Sequence, residues 1–478
     1  MVLKIYNTLG REKQEFIPLK DDVVSFYYCG PTVYSRQHIG NLRGAFCADS
    51  IRRSLEYLKY NVSFISNYTD VGHLTGDNEG DADLGEDRME KGVRQEGLSP
   101  AEIADKYIKF YEDDIKELNI SSPTTRCRAT DYIQEMIDMV QVLLDKGFAY
   151  QTDSAIYFDI TKAKNYTELS GQQLDELKSG AGTGDIEDSQ KRNTGDFAIW
   201  FFKTGTHENA LQTWESPWGE ACLPTRQGFP GWHIECSAMA KKHLGNTIDI
   251  HMGGVEHVSI HHSNEIAQSE SANGVKFSNF WMHNEHLGID GTKMSKSLGN
   301  VVYIDHLKEK GINPLVLRFF FSQAHYRSKQ NFTWEALEAA KNGYGGLLNS
   351  LSNLGEIIGS VSEEYKTQFI EKLSDDFNIP QALAFIHEVL KSNLSDSDKL
   401  ATVLDFDEVL GLDLKENKDL NQGLNIKDLP QDIQDLFLER NLARENQNWA
   451  ESDRIRDEIE SEGYLIKDSE IDTQIFKK

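Results

Sequence analysis

Residues 23–68 read as one strand–helix–strand unit, and such a unit commits a chain to a parallel sheet with a helix packed on its face. Val23-Val24-Ser25-Phe26-Tyr27-Tyr28-Cys29 has the β-branched and aromatic character of a strand, and Gly30-Pro31 ends it. After a loop and His38-Ile39-Gly40-Asn41, the apolar residues Leu42, Ala45, Phe46, Ile51, Leu55 and Leu58 recur at roughly helical spacing. Asn61 to Tyr68 returns to a strand pattern. The unit is Rossmann-like, with His38-Ile39-Gly40 at the helix N-terminus, where backbone N–H groups and the dipole favour a phosphate.

A chain of 478 residues has room for roughly three domains. Residues 75–98 are rich in Gly, Asp and Glu and read as a loop, and helical pattern resumes from Pro100 to Leu118. Residues 121–225 mix a helix pattern, Tyr132 to Lys146, with short strands and Gly-rich loops such as Ser179-Gly180-Ala181-Gly182-Thr183-Gly184, and read as an insertion. From Trp334 to about residue 415 the pattern is helical, with Leu337, Ala340, Tyr344, Leu348 and Leu351 on one face. Two further helices, Gln431 to Asn446 and Ala450 to Glu462, precede Gly463 as a C-cap and a short strand, Tyr464-Leu465-Ile466. The expected fold is α/β: a Rossmann-type parallel-sheet domain at 1–120 and 226–333, interrupted by the insertion at 121–225. A helical bundle at 334–425 and a small mixed C-terminal domain at 426–478 follow.

Charges at Arg11, Glu12 and Lys13 break the N-terminus before a signal peptide could form, and no stretch is long and apolar enough to span a membrane. Five cysteines, Cys29, Cys47, Cys127, Cys222 and Cys236, are too few and odd in number for a disulfide framework, so a reducing, cytoplasmic setting is expected. The net charge of −27 is the reverse of a nucleic-acid binder's footprint. An acidic protein can still carry a local basic stripe, so composition cautions against nucleic acid without excluding it.

Three constellations carry chemistry. His38-Ile39-Gly40-Asn41 fits either a capped helix with a loop histidine or a set of ring and amide donors facing phosphate, with Gly40 allowing close approach. Lys293-Met294-Ser295-Lys296-Ser297-Leu298-Gly299-Asn300 fits either a solvated turn or a cationic clamp on a triphosphate. Cys29, Cys236, His261 and Glu265 offer two thiolates, an imidazole and a carboxylate suited to zinc. His261 and Glu265 stand four apart, on one face of any helix through them, but spacing alone leaves the cysteines open to a plain buried role.

The His-Ile-Gly and Lys-Met-Ser-Lys-Ser pair resembles the two signatures of class I aminoacyl-tRNA synthetases. Tyr28-Cys29-Gly30-Pro31-Thr32-Val33-Tyr34 and Pro230-Gly231-Trp232-His233-Ile234-Glu235-Cys236-Ser237-Ala238-Met239 are similar to segments of the cysteinyl-tRNA synthetases. Asn67-Tyr68-Thr69-Asp70-Val71, His325-Tyr326-Arg327, Asp375-Asp376-Phe377-Asn378 and Glu439-Arg440-Asn441-Leu442-Ala443-Arg444 carry the likeness over nearly the whole chain.

The resemblance implies ATP-dependent activation of L-cysteine to an adenylate and its transfer to tRNA(Cys), with Mg²⁺ accompanying ATP. It implies one Zn²⁺ on Cys29, Cys236, His261 and Glu265, with the substrate sulfur as a further ligand. His38, Asn41, Lys293 and Lys296 are the implied catalytic residues, and His38, Gly40, Asn41, Glu256 and Lys296 the ATP contacts. Thr69 and Trp232 are implied to line the cysteine pocket, and Arg440 and Arg444 to meet tRNA. Some positions depart from the family pattern. Asn41 stands where many relatives have His, Glu256 where they have Asp, residues 219–231 run longer, and the tail lacks the usual ending. Residues 426–478 carry 14 Asp and Glu against 8 Lys and Arg, so any anticodon binding there needs placed cations. Those arginines could equally pair with Glu439, Glu445, Asp453 and Asp457. Two rivals share part of the pattern. A mycothiol-type cysteine:amino-sugar ligase lacks the C-terminal extension, and a catalytically silent tRNA-binding protein has no need of His38, Lys293 and Lys296 together.

Overall fold

A computed structural model describes residues 2–71, 88–172, 188–218, 226–293, 299–418, 426, 429–468 and 473–477. A hairpin of β1 (Lys4–Asn7) and β2 (Glu12–Glu15) precedes β3 (Val23–Tyr28), α1 (Ile39–Tyr57) and β4 (Asn61–Tyr68). Helices α2 (Arg88–Glu96) and α3 (Pro100–Glu117) lead to β5 (Thr125–Arg128) and α4 (Ile133–Asp145). Strands β6 (Ala149–Gln151), β7 (Ala155–Phe158), β8 (Phe197–Phe202), β9 (Trp214–Glu215) and β10 (Gln227–Pro230) form an antiparallel sheet. The chain returns through α5 (Trp232–Leu244), β11 (Ile248–Gly254), α6 (His261–Asn273) and β12 (Ser278–Asn284).

The central sheet runs β12-β11-β3-β4-β5, with every neighbouring pair parallel. From β3 the chain moves outward on one side through β4 and β5, and later on the other side through β11 and β12. The point where the order reverses lies between β3 and β11, and ligands of such sheets bind outside the carboxyl ends of the strands there. Cys29 directly follows β3 and Glu256 lies in the turn just after β11, so the topology alone brings candidate residues to that crevice.

The insertion is smaller at its start and longer at its end than the expected 121–225. Strand β5 pairs with β4 in the central sheet, and β10 pairs with β8 and β9 in the inserted one, so the antiparallel sheet spans 149–230. The reason is local. Thr125-Arg126-Cys127-Arg128 hides a strand behind two arginines, of which Arg126 lies over the rings of Tyr68 and Tyr111 at 5.1 and 5.5 Å. A second correction falls in the expected loop 75–98. Its residues 88–96 are α2, and residues 72–87 lie outside the described residues. Ser179 to Gly184 also lie outside them.

Beyond β12 come β13 (Leu287–Ile289), β14 (Thr292–Lys293), α7 (Ile304–Glu309), α8 (Pro314–Ser322) and β15 (Gln330–Phe332). Helices α9 (Trp334–Ser352), α10 (Glu363–Ser374), α11 (Ile379–Lys391), α12 (Asp396–Leu410) and α13 (Leu414–Asn417) make the bundle. The bundle has no core of its own. Leu337, Leu348, Phe369, Val403 and Phe406 belong to the same buried cluster as Phe26, Leu42 and Leu55 of the central sheet and α1. Arg318 of α8 rivets the joint: fully buried, it donates to Leu410 O at 2.7 Å, Leu118 O at 3.0 Å and Asp49 Oδ2 at 2.8 Å. The C-terminal unit differs. Helices α14 (Gln431–Glu445) and α15 (Trp449–Ser461) with β16 (Tyr464–Asp468) and β17 (Thr473–Lys477) enclose a separate cluster including Phe437, Ile455, Ile459 and Ile475.

Candidate active site and metal centre

Cys29 emerges from β3 with its N–H bonded to Met252 O of β11 at 3.0 Å, which fixes its side chain over the crevice. Gly30 follows because nothing larger fits: a Cβ there would sit 1.8 Å from Asn67 O. Cys236 projects from α5 and His261 and Glu265 from α6, one turn apart. These three elements converge. Cys29 Sγ lies 3.8 Å from Cys236 Sγ and 3.6 Å from Glu265 Oε1, and His261 Nε2 lies 3.1 Å from Glu265 Oε1. All four donor atoms fall within 4.8 Å of one another, and all four residues are buried.

Two histidines that sequence reasoning missed also stand against Cys29. His251 Nε2 of β11 and His262 Nε2 of α6 are 3.3 and 3.4 Å from its sulfur, and with Glu265 they make a second four-donor group. The usable signal was there: His262 abuts His261, and His251 precedes Gly253-Gly254 at a strand end. Outer partners orient the rings. His261 Nδ1 faces His233 Nδ1 at 2.9 Å, His262 Nδ1 faces His283 Nε2 at 2.7 Å, and His283 Nδ1 meets Thr8 Oγ1 at 2.8 Å. A ring held at Nδ1 presents Nε2 to a ligand, as metal-binding histidines do.

The electrostatics fit a cation. The hydrogen bond from Cys29 pulls the Cys236 thiol down to about 6 against its burial. Burial pulls the His261 ring down, but Glu265 and Cys236 outweigh it and hold the ring near about 10. Burial raises Glu265, yet His251 and His261 hold its carboxyl well below the usual range. Glu265 Oε2 lies 3.4 Å from His251 Nε2, yet among the described residues it and His251 Nδ1 are buried without a hydrogen-bond partner, a costly arrangement unless something supplies one. Thiolate, imidazole and carboxylate are the donors zinc takes.

Beside this centre the half-buried Trp232 lays its ring 4.3 Å from that of His261. Thr69 is buried, its hydroxyl accepting from Asn67 Nδ2 at 3.1 Å, while Asn67 Oδ1 accepts from Gly30 N–H at 2.9 Å. Both expected pocket residues therefore flank the buried cluster.

The phosphate side begins at the N-terminus of α1. His38 is its N-cap, with Nδ1 accepting from Gly40 N–H at 3.1 Å, so the ring proton resides on Nε2. Asn41 Oδ1 accepts from His38 N–H at 3.3 Å, which leaves the amide's Nδ2 as the donor end. Glu256 sits exposed in a short turn, its carboxylate 3.7 Å from His286 Nδ1. Lys293 ends β14, paired through Gly288, while Met294 to Leu298, and with them Lys296, lie outside the described residues.

Of the two arginines expected to meet tRNA, the structure corrects Arg440. Arg440, expected to face tRNA, is fully buried and donates from both Nη atoms to Asp468, at 3.0 and 2.7 Å. Arg444 reaches the same carboxylate at 3.0 Å but stays one-third exposed, and Arg456 joins them. Arg454 pairs with Glu451 and Glu458. The partners expected among the neighbours were Glu439, Glu445, Asp453 and Asp457; instead the hairpin β16–β17 carries Asp468 back to Arg440, Arg444 and Arg456, and Arg454 takes other acids of its own helix. Sequence spacing could not reveal that return.

Comparison with known proteins agrees over the full length. The family profile of the tRNA synthetases class I (C) catalytic domain matches residues 15–342, that of the DALR domain 368–415, and that of the cysteinyl-tRNA ligase anticodon binding domain 427–475. The chain is 41% identical over 480 residues to cysteine–tRNA ligase 1 of Burkholderia lata, covering 100% of this chain and 97% of that one. It is 39% identical over 497 residues to the cysteine–tRNA ligase of Treponema denticola, covering 98% of each. Among solved structures, Mycobacterium tuberculosis methionyl-tRNA synthetase with methionyl-adenylate shares the fold, with a TM-score of 0.52 at 16% identity over 82% of this chain and 90% of that one.

Proposed function

Because the chain belongs to the cysteinyl-tRNA synthetases, class I enzymes that use ATP to charge tRNA with cysteine, we propose that Cys29, Cys236, His261 and Glu265 hold one zinc ion that selects the substrate by its thiol. The convergence of these four donors from three elements into a buried cluster carries the reading. Zinc so held lowers a thiol's pKa and takes thiolate far better than a hydroxyl, which discriminates cysteine from serine without an editing site.

The chain's own residues then position the reactants. Thr69 and Trp232 line the amino-acid pocket beside the centre, and the crevice places the cysteine carboxylate for attack on the α-phosphate of ATP. His38, through Nε2–H, together with Asn41 and the first amides of α1, faces phosphate oxygens, and Gly40 lets the nucleotide approach. Lys293 and Lys296 neutralise the charge that builds as pyrophosphate departs, with Mg²⁺ accompanying the nucleotide. Glu256 reaches the ribose. The terminal ribose hydroxyl of tRNA(Cys) next takes the cysteinyl group. No protein side chain serves as nucleophile, so catalysis rests on placement and charge.

For the anticodon end, Arg440 serves as a buttress and Arg444 as the contact. Arg444 lies 5.7 Å over the ring of Trp449, which is 57% exposed and forms a stacking platform for an unpaired base. A thiolate-rich centre suits the reducing cytoplasm.

Transfer of labelled cysteine to purified tRNA(Cys), with zinc measured on the same sample, tests the reading. We expect one zinc per chain, charging with cysteine and none with serine. Full charging by a chain that carries no zinc would sink the metal assignment.

A further inference from the structure

We propose that Asp376, a residue of the helical bundle, is a positioning residue for adenylate formation that fixes the spacing between the two nucleotide signatures. The proposal rests on the nucleotide-facing roles of His38 and Lys293 given above.

Asp376 lies in the turn between α10 and α11 and is fully buried. Its φ is 61° and that of the buried Phe377 is 53°, a left-handed conformation that side-chain-bearing residues rarely adopt and bulky ones least of all. Such a turn persists only where its surroundings over-determine it. They do here. Oδ1 accepts from Tyr6 N–H at 2.9 Å and Tyr326 O–H at 2.8 Å, and Oδ2 accepts from Arg327 Nε and Nη2 at 2.8 and 2.6 Å. The Asp376 N–H donates to Lys4 O at 2.9 Å, and its carbonyl lies 2.9 Å from His325 Nε2. Every one of these partners lies outside the bundle.

The segment so gripped leads to both signatures. His325 O and Ser328 O accept from Arg43 Nη2 at 3.3 and 2.8 Å, and Gln330 Oε1 accepts from Arg43 Nε at 3.2 Å. Arg43 is buried in the second turn of α1, just below His38 and Asn41. In the other direction, Tyr326 O accepts from Glu285 N–H at 2.9 Å, and β15 pairs with β13, whose hairpin partner β14 ends at Lys293. One carboxylate from the bundle therefore orients the strand that holds both the phosphate-facing helix and the hairpin opening the lysine loop. A displacement of about 1 Å at such a site costs up to about 100-fold in rate. A carboxylate is required because an amide, with one acceptor oxygen, cannot receive Tyr6, Tyr326 and the Arg327 fork together.

The test uses the full-length, metal-containing chain. Cysteine-dependent ATP–pyrophosphate exchange is measured for wild type, Asp376→Asn and, as a control, Asp375→Asn, whose exposed side chain pairs with Lys13 at 2.5 Å on the surface. Rates are expressed per active site, counted by adenylate titration. For Asp376→Asn we expect kcat per site to fall about 10- to 100-fold while KM for cysteine and the metal content stay within about twofold. Asp375→Asn should match wild type. A purely structural role would lower the number of competent sites and leave kcat per site unchanged, and that result overturns the proposal. Should Asp376→Asn not fold, Arg327→Gln, which breaks the fork from the partially exposed side, must show the same loss of kcat per site; an unchanged value overturns the proposal equally. Wild-type chain without exchange would remove the nucleotide reading, and this proposal with it.

Discussion

Cys29 is the residue on which the site turns, since its sulfur lies within 4 Å of Cys236, His251, His262 and Glu265. Cys29→Ser keeps the volume and loses the thiolate, so bound zinc should fall and cysteine-dependent exchange drop on the order of 100-fold. Metal analysis and exchange kinetics on one preparation check both. His262 Nε2 lies 3.4 Å from the same sulfur. Lys296 is proposed to serve the other reactant. Lys296→Ala should slow adenylate formation about 100- to 1000-fold at kcat while leaving cysteine binding near the wild-type value, because an interaction made with transferring phosphate appears in the transition state. Pre-steady-state formation of adenylate separates the two quantities, and an unchanged rate would remove Lys296 from the mechanism. Lys293→Ala should do less harm.

At the scale of elements, the β3–β4 junction and the β16–β17 hairpin each depend on one position. A Cβ at Gly30 would meet Asn67 O at 1.8 Å, a backbone atom that cannot swing away. Gly30→Ala should therefore destabilise the protein by about 2–3 kcal/mol and loosen metal retention, since Cys29 is the neighbouring residue. Thermal unfolding with and without chelator measures it. In the hairpin, Asp468 is held down to about 2, first by its bonds to Arg440, then by Thr473 and Arg444 against partial burial. A carboxyl lowered on folding stabilises fully above its unfolded pKa and loses that contribution as pH falls through the folded one. The C-terminal unit should thus lose about 2 kcal/mol between roughly pH 5 and pH 2. Asp468→Asn should show little acid dependence there. Hydrogen exchange of α14 amides across that range resolves the difference, and identical acid profiles for the two proteins would refute it.

For the whole molecule, the cores set what can be removed. The bundle shares one hydrophobic cluster with the central sheet, whereas the C-terminal unit has its own. Truncation near Asp428 should leave cysteine-dependent exchange largely intact yet weaken aminoacylation at least about 10-fold, because tRNA loses contacts that adenylate chemistry never used. Truncation before α9 should abolish both by exposing the shared core. If the shorter cut charged tRNA as well as the intact chain, the anticodon assignment of residues 429–477 would fail and the amino-sugar ligase reading would gain. Net charge misleads at this scale: −27 spread over a surface leaves room for Arg444 and Trp449 to meet one loop of RNA.

What the sequence determined by itself was local in origin. The strand–helix–strand unit, the helices of the bundle and the capped start of α1 follow from hydrophobic period and turn chemistry, which act within a few residues. The buried four-donor cluster was within reach for a different reason: the motif likeness picked out Cys29, Cys236, His261 and Glu265 among the chain's cysteines, histidines and acids, and the fold brings their donor atoms together. Tertiary structure decided the rest. Strand β5 was hidden because its two arginines read as exposed, whereas the fold sets them against Tyr68, Tyr111, Glu112 and Asp105, and the insertion's limits moved with it. His251 and His262 gained their place from the packing of β11 against α6. Arg440 became a buried clamp only when Asp468 returned 28 residues later, and Asp376 found its partners 370 residues away at Tyr6 and 50 away at Tyr326. Local propensity cannot register such pairings, because their free energy arises only after the chain has closed the loops that bring them together.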